Sequence, residues 1–497
     1  MLEHAYQADV VVVGAGVAGL AAAHRLISAG VTTAVLEAAP YVGGRMSTEK
    51  VDGFRLDRIG QLLSTSYPEL RLTPGLDALV LRPFAPGVLL HSDGRHRRAG
   101  TPAPGGSAWG ALHAVRALAS APRAGAMPRV RTGSVWGGAV SPGRGTTLRD
   151  RTDSSWGGPT LKDRPVGTRR VAAVPRPRTG APLGGPVDQA RLGAALTRLA
   201  ATPVERLLSR PELPAGQALA ARGVPARTID GFLRPLLAAL LCDPELTTSS
   251  RCADLALRAF AGGRLCLPEG GAEMLPEVLA AALPPGTVHT GVRVTAVSTT
   301  SVTTAEHGEI RCRAVLVATD ARAAAELLPG LRVPDFHQVT VVHHTTDDPP
   351  ATGAALLVDS DRGGPVAHTA IASEVDPTRA PAGRALVSST VLGPPPPDVE
   401  TAVRRHLSRL YGTSTARWET LAVHHTATAV PAMRPPHDLR RPVRLLAGLY
   451  VCGDHRDTST VQGALHSGHR ASSAILADLG AAGSMHRIDP IPTTQAA

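Results

Sequence analysis

The chain has 497 residues, enough for two or three domains with a sizeable buried core. Its five cysteines are scattered and show no CxxC spacing, which argues against a disulfide framework or a structural metal site. The formal net charge is +11, but residues 123–180 alone hold twelve Arg or Lys against three Asp, a net of +9, so the rest carries only +2. This distribution is not that of a protein built throughout to bind nucleic acid.

The N-terminus and the apolar runs predict where the protein resides. The first nine residues contain a Glu and an Asp and lead straight into a predicted strand, unlike a secretory signal. The longest apolar stretch, residues 10–23, is interrupted by three glycines and is shorter than the roughly 18 residues that span a bilayer. We therefore expect a cytoplasmic protein without a transmembrane helix. The sequence is compatible with peripheral contact with a membrane.

The first elements predicted are a strand, a glycine turn, a helix and a second strand. Val10 to Val13 are four consecutive β-branched residues, typical of a strand buried on both faces. Val17 to Ala29 has helical spacing and is followed by Gly30 as a C-cap. Val31 to Leu36 predicts a second, parallel strand with Glu37 at its carboxyl end.

A GxGxxG pattern joins this strand to this helix. Gly14 permits a tight turn, Gly16 lets the backbone approach a pyrophosphate, and Gly19 allows the helix to pack closely on the sheet. Val17 and Ala18 begin the helix, where free N–H groups and the positive end of the dipole favour an anion. The pattern predicts a dinucleotide site.

Two further features indicate which dinucleotide to expect. Glu37 stands 23 residues after Gly14, near the ~20 expected for the acid that binds the adenosine ribose hydroxyls. Gly44 and Arg45 follow in a GGR sequence, where the glycine can admit a pyrophosphate and the arginine can neutralise it through a charge-assisted bond. Simple nicotinamide dehydrogenases do not need this element, so FAD is expected.

The middle of the chain changes to loops and Ala-, Leu- and Arg-rich helices. Helical spacing predicts helices at Leu192 to Ala200, Thr228 to Leu241 and Ala253 to Phe260. Residues 124–182 are dense in Gly, Pro, Ser, Thr and Arg, so we interpret them as a disordered, low-complexity basic insertion.

Strands and helices alternate again from residue 268 onwards. Strands are predicted at Gly291 to Ser298, Cys312 to Ala321, Val339 to His344 and Ala385 to Val391, and a helix at Val399 to Tyr411. The last ordered piece, residues 445–480, is predicted as strand, loop and helix. The Pro/Thr-rich end at residues 481–497 is expected to be a flexible tail.

With its glycine pattern, its GGR sequence and the YVCGD sequence at residues 450–454, the chain resembles the flavin-containing amine oxidase and phytoene desaturase superfamily, which includes protoporphyrinogen oxidase. The resemblance covers roughly residues 8–70, 264–330 and 440–480. It implies an α/β fold with a Rossmann-like FAD/NAD(P)-binding domain of glutathione-reductase-like topology and a second, mixed α+β substrate domain. The implied FAD domain comprises residues 1–75, 264–330 and 440–480, and the substrate domain residues 76–263 and 331–439.

The resemblance also implies cofactor contacts in the first half of the FAD domain and near the adenine. The segment FRLDRIGQLL at residues 54–63 is similar to the family segment that runs along the flavin, which places Gly60 and Gln61 near the ring. Val294 lies in GVRVTAV, which resembles the strand whose backbone holds the adenine.

The C-terminal segment is expected to complete the flavin site. Asp454, after Gly453, is placed to accept hydrogen bonds from the ribityl chain or to reach the pyrophosphate edge. Gly463 and Ala464 open a helix whose N-terminus would face the flavin N1 and C2 carbonyl and stabilise the reduced ring. No His or Cys stands where a flavin linkage can be assigned, so we expect non-covalent FAD.

The implied reaction is hydride transfer from a substrate C–H to the flavin, followed by reoxidation by oxygen or a quinone. Many amine oxidases of the superfamily hold a water near flavin N5 with a lysine, whereas Lys50 lies beside the GGR loop and Lys162 in the insertion. We therefore expect a desaturase- or dehydrogenase-type enzyme with a small, apolar or secondary-metabolite substrate. Amine oxidation to an imine and hydrogen peroxide is the alternative, and a basic nucleic-acid- or lipid-binding protein on a flavin-fold scaffold is the alternative from another class.

The sequence does not identify catalytic residues. Candidates for acid/base chemistry are the pairs His343/His344 and His424/His425 on predicted strands, and His455 beside the C-terminal motif. Adjacent residues of a strand point to opposite faces, so at most one of each pair is expected to face a pocket.

Overall fold

A computed structural model describes residues 7–100, 183 and 185–480. The predicted insertion at residues 124–182 and the predicted tail at residues 481–497 lie outside the described residues. The strands are β1 (Val10–Val13), β2 (Thr33–Glu37), β3 (Thr48–Val51), β4 (Phe54–Asp57), β5 (Leu63–Ser64), β6 (Leu81–Pro83), β7 (Val88–Ser92), β8 (Arg95–Ala99), β9 (Leu265–Pro268), β10 (Val288–Thr290), β11 (Val294–Val297), β12 (Ser301–Thr304), β13 (Gly308–Arg311), β14 (Ala314–Val317), β15 (Phe336–Thr346), β16 (Leu357–Asp359), β17 (Val366–Ile371), β18 (Ala385–Leu392), β19 (Glu419–Pro431), β20 (Arg444–Leu446) and β21 (Leu449–Val451).

The helices are α1 (Val17–Ser28), α2 (Glu69–Leu72), α3 (Pro186–Ala201), α4 (Val204–Leu208), α5 (Ala215–Ala221), α6 (Ala226–Thr228), α7 (Arg234–Leu241), α8 (Ser250–Gly262), α9 (Met274–Ala281), α10 (Ala321–Leu327), α11 (Ala372–Val375), α12 (Val399–Tyr411) and α13 (Val461–Asp478). A π-helical turn covers Ile229–Leu233, and short 3₁₀ turns cover Pro377–Arg379 and Asp454–Arg456.

Six strands form a sheet in the order β10–β2–β1–β14–β21–β20. The first five run parallel, and only β20 pairs antiparallel to its neighbour. Because β1 lies inside this sheet, all four of its valines are buried, as the continuous β-branched run predicts. α1 and α13 pack against each other, and their apolar side chains join the largest core cluster. This is the expected Rossmann-like arrangement.

A second sheet has seven strands in the order β19–β15–β18–β17–β16–β7–β8. It is antiparallel except where β16 and β7 run parallel. Its strands come from residues 88–99 and 336–431, whereas those of the first sheet come from residues 10–37, 288–317 and 444–451. The two sheets thus draw on the segments expected for the substrate and FAD domains, and the exact domain boundaries stay a prediction.

Several predicted elements differ from the observed ones in length or pairing. α12 has the predicted bounds, but the helix predicted from Thr228 to Leu241 begins with the π-helical turn, followed by α7 with Pro235 at its second position. The strand predicted from Gly291 to Ser298 is the shorter β11. It pairs with β12 in a separate antiparallel sheet of three strands instead of joining the parallel sheet.

Within residues 7–100 and 185–480, no helix is both long and apolar enough to cross a lipid bilayer. All five cysteines are free thiols. The cytoplasmic location stays a prediction.

Candidate active site

A cavity of about 350 Å³ opens where the parallel strands end. Residues that follow β1, β2 and β14 meet there, because the carboxyl ends of parallel strands share one edge of a sheet. Of the residues predicted to bind the cofactor, those that line the cavity are Gly14, Gly16, Val17, Ala18, Glu37, Gly44, Arg45, Gln61, Gly453, Asp454 and Ala464. Segments far apart in sequence therefore converge on one site.

The N-terminus of α1 faces this cavity and leaves room for a ligand. Gly16 is the N-cap of α1, and no side chain caps the helix there. A Cβ atom added at Gly16 or at Gly44 would meet no atom within 4 Å. Uncapped N–H groups beside open space form a cradle for an anionic group such as a pyrophosphate.

Glu37 is fixed in the position expected of a ribose-binding acid. Its two carboxylate oxygens each accept one backbone hydrogen bond, from Ala15 N at 2.8 Å and from Ala39 N at 2.9 Å. A carboxylate has about four acceptor positions, so two remain for hydroxyl groups of a ligand in the cavity.

Arg45 and Asp454 form an ion pair that sequence reasoning did not predict. Arg45 Nη2 donates to Asp454 Oδ1 at 2.7 Å, and Nη1 donates to the Ala429 carbonyl at 2.9 Å. Burial alone would lower the pKa of the Arg45 guanidinium, but the charge of Asp454 outweighs it and raises that pKa. The pair ties the GGR loop to the C-terminal segment across the cavity.

Two predicted glycines act in packing and do not line the cavity. A Cβ atom at Gly19 would lie 2.1 Å from the Gly14 carbonyl oxygen, and one at Gly463 would lie 2.0 Å from the Thr458 carbonyl oxygen. Both positions therefore require glycine for close backbone approach. A direct cofactor contact of Gly463 stays a prediction.

Gly60 and Val294 lie elsewhere. Gly60 lines a second, smaller cavity next to the first. Val294 begins β11 and does not line the large cavity. Its proposed main-chain contact with the adenine stays a prediction.

Sequence reasoning missed one wall of the large cavity. Ala318, Thr319 and Asp320 line it directly after β14, and Asp320 caps α10 by accepting from Arg322 N and Ala323 N at 2.8 and 3.3 Å. The signal was present, because a parallel strand beside β1 must deliver its next residues to the same edge. Other lining residues outside the prediction are Ala38, Gly43, Met46, Ala323, Thr460 and Val461.

The second cavity has a volume of about 40 Å³. Gly60 lines it and the next residue, Gln61, lines the large cavity, so the two spaces are neighbours across this stretch of backbone. Its walls are mostly aliphatic or aromatic. The polar side chains among them are Asp57, His343, His368, Arg379, Ser388 and Thr390.

The two histidines of this cavity are neutral near pH 7. His343 Nε2 donates to the Asp57 carbonyl and Nδ1 accepts from Ser388 Oγ, both at 3.0 Å. Burial lowers the pKa of both His343 and His368 to about 4. His368 Nδ1 is buried without a hydrogen-bond partner.

The other candidate histidines occupy different environments. Of the pair on β15, His343 lines the small cavity, whereas both ring nitrogens of His344 are buried without a partner. His455 is also buried with two unpartnered nitrogens, and burial lowers its pKa to about 4. His425 Nδ1 and Thr340 Oγ1 share a hydrogen bond of 2.9 Å.

A buried ion-pair network forms the floor of the small cavity. Arg379 Nη1 pairs with Asp57 Oδ2 at 2.7 Å and Nε with Asp376 Oδ2 at 3.1 Å, while Nη2 donates to the Pro268 carbonyl. Burial alone would raise the pKa of Asp57, but Arg379 outweighs it and lowers that pKa. The network ties β4, on which Asp57 lies, to the 3₁₀ turn Pro377–Arg379 and to the end of β9.

A family of proteins described as flavin containing amine oxidoreductase matches residues 17–476, which is most of the chain. The chain belongs to this family. It is accordingly an FAD-dependent oxidoreductase, as expected from the glycine and GGR motifs. The cradle at Gly16 and Gly44 and the fixed carboxylate of Glu37 fit that cofactor.

Individual relatives include amine oxidases. Putrescine oxidase from Kocuria rosea is 45% identical over 108 residues, which is 21% of this chain and 23% of that protein. A solved structure of wild-type putrescine oxidase bound to putrescine has a TM-score of 0.59 at 17% identity, covering 95% of this chain and 99% of that one. Cyclohexylamine oxidase from Brevibacterium oxydans IH-35A has a TM-score of 0.60 at 16% identity, covering 95% and 99%. At these identities the solved structures show the fold alone.

Proposed function

We propose that this protein oxidises an amine, removing a hydride from the carbon next to the nitrogen, and that the amine group of the substrate enters the small cavity beside Gly60. The observation that carries the proposal is His368, a neutral imidazole with an unpartnered buried nitrogen in a cavity that adjoins the cofactor cavity. An unpaired buried polar atom is costly, so a substrate N–H group that pairs with it is favoured.

FAD, when bound, supplies the hydride acceptor, and oxygen or another acceptor reoxidises it. The described residues orient the amine and exclude water. His343 and His368 stay uncharged at neutral pH, which favours binding of the neutral amine whose lone pair is needed to form the imine. Gly14, Gly16, Glu37 and Arg45 would hold the dinucleotide.

FAD is proposed to be bound without a covalent link. Among the described residues that line the large cavity there is no Cys or His. Cys452 lies next to Gly453, but burial raises the pKa of its thiol to about 12, so it is a poor nucleophile at neutral pH. Acid or heat denaturation is therefore expected to release all of the FAD into the supernatant, and yellow protein pellets would contradict this.

A desaturase or dehydrogenase acting on an apolar substrate is the second candidate. It is favoured by the apolar part of the small cavity, which includes Leu62, Phe84 and Val341. In the described part of the chain, Lys50 is bound to Glu273 at 2.9 Å and lines neither cavity. The position of this lysine gives no support to an amine oxidase that relies on one.

Anaerobic mixing with a panel of amines, polyenes and porphyrinogens separates the two candidates. We expect amines such as putrescine or cyclohexylamine to bleach the flavin, and polyenes to leave it oxidised. His368→Leu should raise the KM for the amine about tenfold or more at unchanged FAD content, because one buried hydrogen bond is worth about 1–3 kcal/mol. His437→Leu is the control, since His437 is buried outside both cavities. Bleaching by polyenes alone would favour the second candidate.

A further inference from the structure

A cluster of possible metal ligands lies at the edge of the seven-stranded sheet, apart from both cavities described above. β7 and β16 run parallel there, with His91 directly opposite Asp359. Asp361 follows β16 after one further residue. One ligand atom from each side chain lies within 4.8 Å of the other two.

His91 lacks a partner in this cluster. The residue is only 9% exposed, and its Nδ1 is buried without a hydrogen-bond partner. Asp359 Oδ1 lies 3.6 Å from this nitrogen and Asp361 Oδ2 lies 3.8 Å from it. These separations are longer than ordinary hydrogen bonds, so the buried nitrogen faces two carboxylates at ion-pair distance.

The separations suit a shared metal ion. A zinc ion with bonds of about 2.0–2.2 Å holds its ligand atoms roughly 3.4 Å apart. The two distances from His91 exceed this by a few tenths of an ångström. Asp361 is partly exposed, so its side chain can move to complete the set and leave a coordination position open to solvent.

The carboxylates are already oriented by their outer partners. Asp359 Oδ2 accepts from Gly363 N at 2.6 Å and from His406 Nε2 at 3.1 Å. Since His406 Nδ1 accepts from Val366 N, its Nε2 carries the proton that it donates. Asp361 Oδ1 accepts from Ser92 Oγ at 3.0 Å. Such outer contacts are typical of metal-binding carboxylates.

We propose that His91, Asp359 and Asp361 bind one divalent transition-metal ion of the zinc class. The imidazole ligand disfavours Mg²⁺ and Ca²⁺, which prefer oxygen ligands. The ion fastens β7 to the loop after β16 and takes no part in flavin chemistry. The scattered cysteines gave no indication of this site, because none of its ligands is a thiol and His91 is far from Asp359 and Asp361 in sequence.

Zinc retention by untagged, FAD-loaded protein tests the proposal. After treatment with EDTA and dialysis against zinc chloride, one zinc ion per chain should remain bound in the wild type, as measured by atomic emission. His91→Gln and Asp361→Asn should each weaken zinc binding at least about tenfold and abolish the zinc-dependent rise in Tm. Magnesium chloride should produce no rise.

Asp93→Asn is the matched control. Asp93 lies two residues from His91, and its exposed side chain offers no ligand atom to the cluster. Its φ is 50°, a left-handed backbone conformation that Asn tolerates. This variant should retain zinc like the wild type. Equal zinc retention by wild type, His91→Gln and Asp361→Asn would overturn the proposal. Absence of retained zinc in the wild type would also overturn it, and would identify the contact as a protonated His91 between two carboxylates. Asp361→Asn changes an exposed side chain, so the test stands even if His91→Gln does not fold.

Discussion

Gly16 leaves open space at a point where any side chain would project into the large cavity. It lines that cavity at the N-cap of α1, and an added Cβ atom would meet nothing within 4 Å. The protein itself therefore does not require glycine at this position for packing. A bound pyrophosphate does, because the backbone must approach it closely.

Gly16→Ala should fold normally and bind FAD at least about tenfold more weakly, a loss of about 1.4 kcal/mol. Reconstitution of apoprotein, followed by flavin fluorescence, measures this Kd. Gly193→Ala is the control, because it also adds a methyl group in open space but in the exposed middle of α3. The control should bind FAD like the wild type and gain up to about 1 kcal/mol in stability. An unchanged Kd for Gly16→Ala would mean that the dinucleotide does not approach α1.

At the level of residues, the sequence predicted the contacts that follow from local patterns. The GxGxxG glycines and Glu37 occur within a single β1–α1–β2 unit and Arg45 follows it by eight residues, so their spacing is informative. The Arg45–Asp454 pair and the His343–Asp57 bond join residues hundreds of positions apart, and no local pattern reports them. His368 could not be singled out either, because the other strands that line its cavity, β4, β9, β15 and β18, are far apart in sequence.

Arg379 connects β4, the end of β9 and the 3₁₀ turn Pro377–Arg379 through buried ion pairs and a hydrogen bond. It is 2% exposed and pairs with Asp57 on β4 and with Asp376, while also bonding the carbonyl of Pro268 at the end of β9. Removing one member of a buried ion pair leaves the other charge without compensation, which costs far more than loss of a surface pair.

Arg379→Leu should therefore lower the free energy of unfolding by about 3–5 kcal/mol, as measured by urea denaturation. Arg384→Leu makes the same change in a largely exposed pair with Glu419 and should cost no more than about 1 kcal/mol. Similar losses in the two variants would show that the Arg379 network does not hold these elements together.

Buried histidines on β15 and β17 make stability depend on pH. Burial lowers the pKa of His368 from 6.5 to about 4, so the unfolded chain binds a proton there more readily than the folded one. The stabilising contribution is present above pH 6.5 and is lost as the pH falls from 6.5 towards 4. For His368 alone this amounts to about 3 kcal/mol. Urea denaturation between pH 7 and pH 4.5 should show a shallower loss for His368→Gln than for the wild type, and parallel curves would contradict the assignment.

The molecule as a whole follows its sequence where strands are continuous and apolar. The parallel sheet and its order around β1 follow from the βαβ pattern, and α12 has the predicted bounds. Which strands pair with each other was harder to predict from the sequence. β11 has a strand-like sequence, but it belongs to a separate antiparallel sheet because it pairs with β12, which in turn pairs with β13. A strand pattern specifies which residues are extended and not which strand they join.

Deletion of residues 124–182 tests the predicted insertion at this scale. The residues that line the large cavity lie at 14–61 and 318–464, and those that line the small cavity lie at 57–84 and 267–390. None of them belongs to the deleted segment. FAD content and amine-dependent flavin reduction should thus be unchanged, and the salt-dependent binding of polyanions should fall because the segment carries a net +8. Loss of FAD on deletion would show that this segment is needed for the fold.

In the proposed reaction, a C–H bond next to an amine nitrogen breaks as the flavin is reduced. Anaerobic rapid mixing of the oxidised enzyme with an amine that reduces it, and with the same amine deuterated at that carbon, measures this step directly. We expect both amines to reduce the flavin, and we expect the rate of reduction to be clearly lower with the deuterated amine, because a C–D bond breaks more slowly than a C–H bond. Failure of every amine to reduce the flavin, or equal rates for both forms in the single-turnover reduction, would contradict the proposed reaction.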